Sequence, residues 1–344
     1  RSYVRRDPLG LLLAIMPWNF PFWQVVRCAA PALMAGNTVL LKHAPNVPGC
    51  AAAIVQTARD AGLDVGVFDR VSISDTTTLS LVGDDRVAAV SLTGSVRAGR
   101  AVGAAAGGAL KPCVLELGGS DPCVVLDDCD LDTAVAGALL SRMLNAGQSC
   151  IAAKRIIVAE NVHDAFVQRF VTAAAALHVG DPRNLDTRMG PLAREDLRVA
   201  LHAQVERAVA AGASVALGGA LPEGPGWFYP PTVLIDVGTD TAVFCEETFG
   251  PVAAVVRAQD AEDAFGLAAQ TEFGLGAAVW TRDTERAEQW AARAGVGSVA
   301  INGIVKSDPR LPFGGCRASG VGRELGDEGL YAFAPPKSVW IGSS

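Results

Sequence analysis

Cys150 is the residue whose setting most favours chemistry. It closes the string NAGQSC (145 to 150), a Gly-, Asn- and Ser-containing segment that leads into a β-branched stretch. A thiol in such a segment can face a ligand instead of a packed core. Because a free thiol has a pKa of about 8.5, it needs local help to act as a thiolate nucleophile. The alternative is a small buried hydrophobe, as most of the eight cysteines should be.

Two polar residues are candidates to assist such a nucleophile. Glu116 lies in the otherwise apolar string CVLELGG, and burial raises the pKa of a carboxyl towards values useful for a general base. Asn19 lies between Pro17 and Pro21, and its amide can donate to an oxyanion. The alternatives are a salt-bridged strand residue for Glu116 and a turn residue for Asn19.

The composition favours small-molecule partners. Half of the 344 residues are apolar and 19% are charged, enough for a large core in one or two domains. The net charge of -7, without a Lys/Arg block, argues against nucleic-acid and acidic-membrane binding. The apolar run at 9–16 is too short to span a bilayer, and no secretory signal is present. The cysteines lack zinc or disulfide spacing, which favours a reducing cytoplasm.

Alternating strands and helices must position these side chains. β-branched runs alternate with Ala-rich stretches, which predicts βαβ units and mostly parallel sheets. A helix is expected near Pro21, a second with an Asn161 cap at 161–177, and a change of domain after the Gly118-Gly119 pair. The other predicted helices are 48–61, 96–106, 196–211 and 261–270, and the predicted strands are 38–42, 87–94, 113–119, 122–126, 154–160, 252–258, 276–281 and 298–302.

Six short strings occur in a fixed order along the chain. They are PWNFP (17 to 21), LTGS (92 to 95), LELGGSDP (115 to 122), NAGQSC (145 to 150), EETFGPV (246 to 252) and LPFGG (311 to 315). Together they resemble the aldehyde dehydrogenase superfamily from about residue 5 to the C-terminus. The resemblance implies an α/β fold with a Rossmann-type cofactor-binding domain, an α/β catalytic domain and small oligomerisation strands.

The resemblance also implies a domain plan. Residues 1–8 end an oligomerisation strand, 9–119 form the NAD(P)-binding domain, 120–320 the catalytic domain, and 321–344 a return segment and oligomerisation tail. The chain opens at Arg1 without Met, so an N-terminally truncated member is expected, with an incomplete cofactor domain. The extended tail suits strand addition to a neighbouring subunit, and a homodimer or homotetramer is expected.

The family chemistry implies a role for each candidate catalytic residue. In the family, the cysteine at the place of Cys150 attacks an aldehyde carbon; the thiohemiacetal then loses hydride to the cofactor and becomes a thioester. The resemblance assigns the oxyanion to Asn19 and the backbone N–H of Cys150, and activation of the hydrolytic water to Glu116. The expected partner is therefore a small aldehyde.

No GxGxxG string comes after an early strand in this sequence, so the usual dinucleotide fingerprint is absent. Gly94 and Ser95 lie at a strand-to-helix junction, where backbone amides and the helix dipole can meet a pyrophosphate, although a plain turn would look similar. The resemblance implies further cofactor contacts from Trp18, Lys42, Leu117, Glu247 and Phe249.

Lys42 bears on the choice between NAD and NADP. The resemblance places Lys42 on the adenosine ribose, Glu247 on the nicotinamide ribose and Phe249 beside the nicotinamide. Many NAD-using relatives carry an acidic residue three places after this lysine, whereas Pro45 stands here. Loss of that charge removes a penalty against NADP, so NADP is slightly favoured and dual use expected. The alternatives are a snorkelling Lys42 and a helix-capping Glu247.

Arg27 indicates the substrate class. It follows Asn19 by eight residues, two turns along a helix, and a guanidinium facing a substrate tunnel suits a carboxylate. With the strings LLKHAPNVP, GQSCIAAKR and PGWFYPPTV, the chain resembles the succinate-semialdehyde dehydrogenase branch, which makes Arg27 a ligand of the substrate carboxylate. Ser307, before LPFGG, is a second candidate. The alternative for Arg27 is a surface ion pair.

One departure weakens that substrate assignment. Some relatives carry a second arginine six places before the cysteine, where this chain has Leu144, and Arg142 would face another direction on a helix. Glutarate semialdehyde or a general aliphatic aldehyde therefore stays open as a substrate. Acyl transfer to coenzyme A is a second class of reaction, against which Glu116 argues. A non-catalytic binding fragment on the same scaffold is a third.

Overall fold

The computed structural model describes residues 1–342, and these divide into two compact units. One contains Arg1–Leu117 and the segment from Ser307 onwards, and the other is Gly118–Lys306. The division lies close to the boundary expected after residue 119. The return to the first unit begins at Ser307, earlier than the expected residue 321. The functions predicted for these domains stay predictions.

The first unit begins with alternating strands and helices. Ser74 and Ser95 start two of the helices, since their hydroxyls accept hydrogen bonds from the backbone N–H of Thr77 and Ala98. The elements up to residue 117 are β1 (Ser2–Arg6), β2 (Leu11–Met16), α1 (Trp23–Met34), β3 (Thr38–His43), α2 (Pro48–Asp60), β4 (Phe68–Val71), α3 (Asp75–Val82), β5 (Val87–Thr93), α4 (Val96–Gly108) and β6 (Cys113–Glu116).

The second unit continues the alternation. Its elements are β7 (Asp121–Val125), α5 (Leu131–Met143), a 3-10 turn (Leu144–Gly147), β8 (Ala153–Ala159), α6 (Glu160–Ala175), α7 (Glu195–Ala210), β9 (Ser214–Leu217), β10 (Thr232–Ile235), α8 (Ala242–Cys245), β11 (Val252–Ala258), α9 (Ala261–Ala269), β12 (Gly276–Trp280), α10 (Thr284–Ala291) and β13 (Ser298–Ile301). The predicted Asn161 cap is wrong. Because β8 runs straight into α6, Ala159 occupies the cap position and provides no side-chain hydrogen bond.

The segment after Ser307 completes the first unit. It contains a 3-10 turn (Arg317–Ser319), β14 (Gly320–Val321), α11 (Gly326–Tyr331) and β15 (Pro336–Trp340). The tail pairs within the chain, because β15 lies antiparallel to β1. None of the helices within residues 1–342 has the length and apolar character needed to cross a membrane.

The prediction of mostly parallel sheets is confirmed. The first unit has the strand order β14-β6-β5-β2-β3-β4, in which only β14 runs antiparallel to its neighbour within the described residues. The second unit has the order β13-β12-β7-β8-β11-β10-β9, and among its described strands only β9 is antiparallel. Central strands such as β8 are buried along their whole length, as parallel strands covered by helices should be.

The parallel strands of the first unit bring several candidate residues to one edge of its sheet. β2, β3, β5 and β6 all point their carboxyl ends to that edge. Asn19 follows β2, Lys42 lies near the end of β3, Gly94 follows β5, and Glu116 ends β6. Ligands of parallel α/β sheets bind at this edge.

Arg155 ties a strand of the second unit to a neighbouring helix. The side chain is fully buried in β8 and donates to the carbonyl oxygens of Ser120, Leu267 and Ala268, each at 3.0 Å. Leu267 and Ala268 lie in the last turn of α9, whose carbonyls lack helical partners. The guanidinium also lies over the ring of Phe244. Arg155 therefore caps α9 from within the sheet.

We expect Arg155→Met to lower the free energy of unfolding of the second unit by about 3 kcal/mol, because it leaves buried carbonyls without donors. The urea midpoint followed by circular dichroism measures this loss. Arg169→Met is the control: it removes an exposed ion pair with Asp132 and should change stability by less than about 1 kcal/mol. Equal midpoints for the two variants would contradict the capping role.

Candidate active site

Cys150 lies in the turn between α5 and β8 and is half-buried. Ahead of it, Asn145 and Ala146 adopt left-handed backbone conformations with φ of +55° and +54°, and Gly147 has φ of +72°. A side chain on Gly147 would collide with the carbonyl oxygen of Gly250, so only glycine fits. Non-glycine residues in this conformation store strain and persist only where the surroundings hold them.

Arg142 holds this turn from the end of α5. Its fully buried guanidinium donates from Nη2 to the carbonyl oxygens of Gly147 at 2.8 Å and Thr248 at 3.3 Å, and also to that of Gly250. Burial lowers the pKa of Arg142 to about 9, while Glu247 opposes that shift. Arg142 therefore points into the interior, away from any role as a second substrate arginine.

Glu247 contacts the backbone of Gly119 and the ammonium of Lys154, both in the second unit. Its Oε1 accepts the backbone N–H of Gly119 at 3.1 Å and lies 3.6 Å from Nζ of Lys154. Glu247 and Phe249 both line a cavity of about 230 Å³ beside α7, with Arg207 and Glu246 on its rim. Glu247 and Phe249, predicted to contact the nicotinamide ribose and ring, thus lie on one cavity, and their roles stay predictions.

Glu116, in the first unit, is 2% exposed at the end of β6. Within the described residues neither carboxylate oxygen accepts a hydrogen bond. Burial, reinforced by the nearby charge of Glu324, raises the pKa of Glu116 well above its ordinary value, while Arg27 and Arg323 pull it down. A side chain on Gly314 would meet Oε1, so the LPFGG string packs directly against this carboxylate. The salt bridge considered as the alternative for Glu116 is absent among residues 1–342, and its role as the base stays a prediction.

The predicted pyrophosphate junction has the expected local structure. Ser95 caps α4, and its hydroxyl accepts the N–H of Ala98 at 3.2 Å. The first turn of α4 contains no acidic residue, so the positive end of the helix dipole is uncompensated. The buried side chain of Leu117 packs against Gly99 in the first turn of α4, next to the junction.

Trp18 and Asn19 are half-buried in the turn between β2 and α1. This turn leaves the same sheet edge as the junction at Gly94. Asn19 is therefore a turn residue, as the alternative interpretation expected. A turn at this edge of the sheet is also compatible with an amide side chain that binds a ligand there.

Lys42 has a partner that the sequence did not reveal. The lysine is 7% exposed, and its Nζ donates to Oδ1 of Asp75 at 2.8 Å. This hydrogen bond lowers the pKa of Asp75, with a further contribution from Arg97. The position three places after Lys42 is Pro45, as noted, but α3 delivers a carboxylate to the same lysine. A charged residue at the start of α3 was the only available signal.

Arg27 is paired with a buried carboxylate. It is 3% exposed, its Nε donates to Oε2 of Glu324, and its guanidinium lies 4.4 Å from the ring centroid of Phe313. Its Nη1 donates to the hydroxyl of Ser307 at 3.3 Å, so the two predicted substrate ligands do lie together. The surface ion pair considered as the alternative is wrong, since this pair is buried. Ser307 is half-buried and is the more accessible of the two.

Comparison with known proteins places these features in a family. The model of the aldehyde dehydrogenase family matches residues 1–339. The chain is 54% identical over 340 residues to the succinate semialdehyde dehydrogenase (NAD(P)+) Sad of Escherichia coli K12, an alignment that covers 99% of this chain and 74% of that protein. It is 51% identical to the succinate-semialdehyde dehydrogenase (NADP(+)) 1 of Mycobacterium bovis, with the same coverage.

Solved structures agree. A succinic semialdehyde dehydrogenase from Streptococcus pyogenes in complex with NADP+ superposes with a TM-score of 0.97 at 34% identity, over 99% of this chain and 75% of that one. An Escherichia coli NADP dependent enzyme gives a TM-score of 0.97 at 39% identity, over 100% of this chain and 72% of that one. The predicted aldehyde-dehydrogenase-like α/β fold is therefore confirmed, and the chain belongs to the aldehyde dehydrogenase family.

Proposed function

We propose that this chain oxidises succinate semialdehyde to succinate with NAD or NADP, through a thioester on Cys150 that water activated by Glu116 hydrolyses. The observation that carries the hydrolytic step is Glu116, a buried carboxylate without a hydrogen-bond donor among the described residues and with a raised pKa. When ionised, a carboxylate with a raised pKa is a stronger base than an exposed one and can take a proton from water. The relatives named above support the substrate and both cofactors.

The proposed reaction begins when the Cys150 thiolate attacks the aldehyde carbon. The carbonyl π electrons move to oxygen, and the Asn19 amide and the Cys150 backbone N–H donate to the resulting oxyanion. The chemistry that NAD or NADP supplies when bound is acceptance of a hydride from that carbon. Glu116 then takes a proton from water as the water oxygen attacks the thioester, and the C–S bond breaks to release the acid and restore the thiolate.

The cofactor-binding proposal rests on both units. In the first, the uncompensated start of α4 with Gly94 and Ser95 suits the pyrophosphate, and the buried ammonium of Lys42 suits the adenosine ribose. In the second, Glu247 and Phe249 line one cavity, where a carboxylate suits the nicotinamide ribose and an aromatic ring suits the nicotinamide. Trp18 and Leu117 complete the proposed set.

The substrate carboxylate is proposed to meet Ser307 first. Arg27 is buried and its charge is compensated by Glu324, so a direct ion pair with the substrate would compete with an existing one. The contact from Arg27 Nη1 to the Ser307 hydroxyl instead orients that hydroxyl, whose proton is then available for donation. In this arrangement Arg27 acts through Ser307.

A cytoplasmic homo-oligomer completes the proposal. Within residues 1–342 none of the eight cysteines forms a disulfide, as suits a reducing compartment. Val4 of β1 and Trp340 of β15 are strongly exposed on a two-stranded sheet, which favours coverage by another subunit.

We expect Glu116→Gln to lower the steady-state rate about 1000-fold while the first turnover survives, because only hydrolysis needs the base. Stopped-flow detection of reduced nicotinamide separates the initial burst from the steady rate. Cys150→Ser is the control and should abolish both phases. A burst lost together with the steady rate, or a steady rate restored in the wild type only by coenzyme A, would contradict the hydrolytic mechanism.

Ser307→Ala should raise KM for succinate semialdehyde about tenfold and leave KM for acetaldehyde unchanged, because a hydrogen bond to a charged group is lost. Initial rates with the two aldehydes measure this difference. Ser80→Ala, an exposed helix hydroxyl in α3, is the matched control. Parallel changes with both aldehydes would show that Ser307 does not read the carboxylate.

Asp75→Ser should lower KM for NADP about fivefold with a smaller effect on KM for NAD, because the Asp75 carboxylate occupies Lys42 and repels a 2′-phosphate. Initial rates with each cofactor measure the ratio. Asp69→Ser serves as control, since this exposed carboxylate pairs with Arg59 instead. An unchanged ratio in Asp75→Ser would remove Asp75 from cofactor selection.

A further inference from the structure

Lys154 is a buried cation whose hydrogen bonds and ion pair go to the turn that carries Cys150 (144–150, the nucleophile turn) and to Glu247. Its side chain is 0% exposed, within the otherwise mostly apolar strand β8. Nζ donates to the carbonyl oxygens of Ser149 at 2.9 Å and Cys150 at 2.7 Å, and lies 3.6 Å from Oε1 of Glu247. An ammonium taken out of water must recover its lost hydration from such partners.

The neighbouring Arg155 shows what a purely structural cation does in the same strand. Its donors go to Ser120 and to the end of α9, and the fold needs those contacts. Lys154 supports neither a helix end nor a sheet contact through its described hydrogen bonds. It supports the main chain of the proposed nucleophile and a proposed cofactor ligand.

We propose that Lys154 is a positioning residue for catalysis: its ammonium fixes the Ser149 and Cys150 carbonyls, holds Glu247, and favours the thiolate form of Cys150. This inference rests on the proposed function for the roles of Cys150 and Glu247. Removal of the cation should therefore change thiol reactivity and cofactor binding together, which loss of a simple packing group would not do.

The charges around Lys154 act in both directions on its pKa, and most of them oppose the effect of burial. Burial lowers its pKa, whereas Glu247, Asp121 of β7 and the Cys150 thiolate raise it, and Arg142 of α5 lowers it. Asp121 is itself buried, and burial raises its pKa to about 6, while the charge of Lys154 lowers it. Because the Cys150 thiolate raises the pKa of Lys154, the ammonium in turn favours the thiolate, and we expect its removal to raise the pKa of the thiol by about one unit.

The holding of Glu247 follows from the same contacts. Its Oε1 receives the N–H of Gly119 and faces Lys154, so the carboxylate is restrained before any ligand binds. Without the ammonium, one of these two restraints is lost. KM for NAD and NADP should then rise by a similar factor, because the nicotinamide ribose is common to both.

The test is alkylation of Cys150 by iodoacetamide between pH 5.5 and 9.5, read by mass spectrometry of the Cys150 peptide in wild type and Lys154→Met. We expect the midpoint of the variant to move about one pH unit higher, and the rate at pH 7 to fall about tenfold. Cys245, exposed and bonded to the Thr239 carbonyl, is the internal reference with an unchanged profile. Alkylation needs neither aldehyde nor cofactor, so its outcome is separate from that of the proposed function.

Two further variants separate charge from packing. Lys154→Gln keeps a donor without the charge and should show the same midpoint shift. Lys111→Met is the matched control, because Lys111 also donates to two main-chain carbonyls, those of Val82 and Asp84 in the first unit; it should leave the Cys150 midpoint unchanged. An unshifted midpoint in folded Lys154→Met and Lys154→Gln, an equal shift in Lys111→Met, or failure of both Lys154 variants to fold would each overturn the proposal in favour of a structural role.

Discussion

Burial of cations beneath the nucleophile turn is the constraint on which the second unit depends. Arg142 ends α5, and Lys154 and Arg155 begin β8, so the elements on either side of the turn deliver fully buried cations. Their donors go chiefly to main-chain carbonyls. Carbonyls of the turn offset the desolvation of Arg142 and Lys154, and these two cations hold a backbone that contains left-handed non-glycine residues. The donors of Arg155 go instead to Ser120 and to the end of α9. Strain and charge are therefore stabilised by the same contacts.

The first unit contains two buried carboxylates, Glu116 and Glu324, whose hydrogen-bonding surroundings differ. Glu324 pairs with Arg27 and accepts the Ser91 hydroxyl, whereas neither oxygen of Glu116 accepts a hydrogen bond from the described residues. The charge on Glu324 raises the pKa of Glu116. A buried carboxyl whose pKa is raised in this way is a candidate for proton exchange.

Local pattern predicted most elements closely. The expected helix at 48–61 is α2 at Pro48–Asp60, and the expected strand at 38–42 is β3 at Thr38–His43. The expected strand at 113–119 was too long, because the chain leaves the sheet after Glu116 and Gly118 packs against the Glu247 carboxylate. Antiparallel β14 and β9 escaped prediction because both are short and pair over a few residues.

Candidate site residues could be named from the sequence, but the side chains that pair with them could not. Cys150, Glu116 and Ser95 were recognised from local strings, since their roles depend on the turn or strand that carries them. The partners Asp75 and Glu324 were missed, because contacts across tens or hundreds of residues leave no trace in spacing along one sequence. Lys154 is recognisable in the sequence as a cation near the start of an apolar strand. The role proposed for it rests on its hydrogen bonds to the Ser149 and Cys150 carbonyls, which only the structure shows.

The discontinuity of the first unit has a consequence for biosynthesis. Glu324 and β14 reach the ribosome exit after the whole of Gly118–Lys306, yet β14 pairs with β6 and Glu324 neutralises Arg27. Until that segment emerges, a guanidinium destined for the interior has no counter-charge and must stay hydrated. Burial of Arg27 in the first unit therefore waits for the last part of the chain, whereas every strand of the second unit's sheet is synthesised before it.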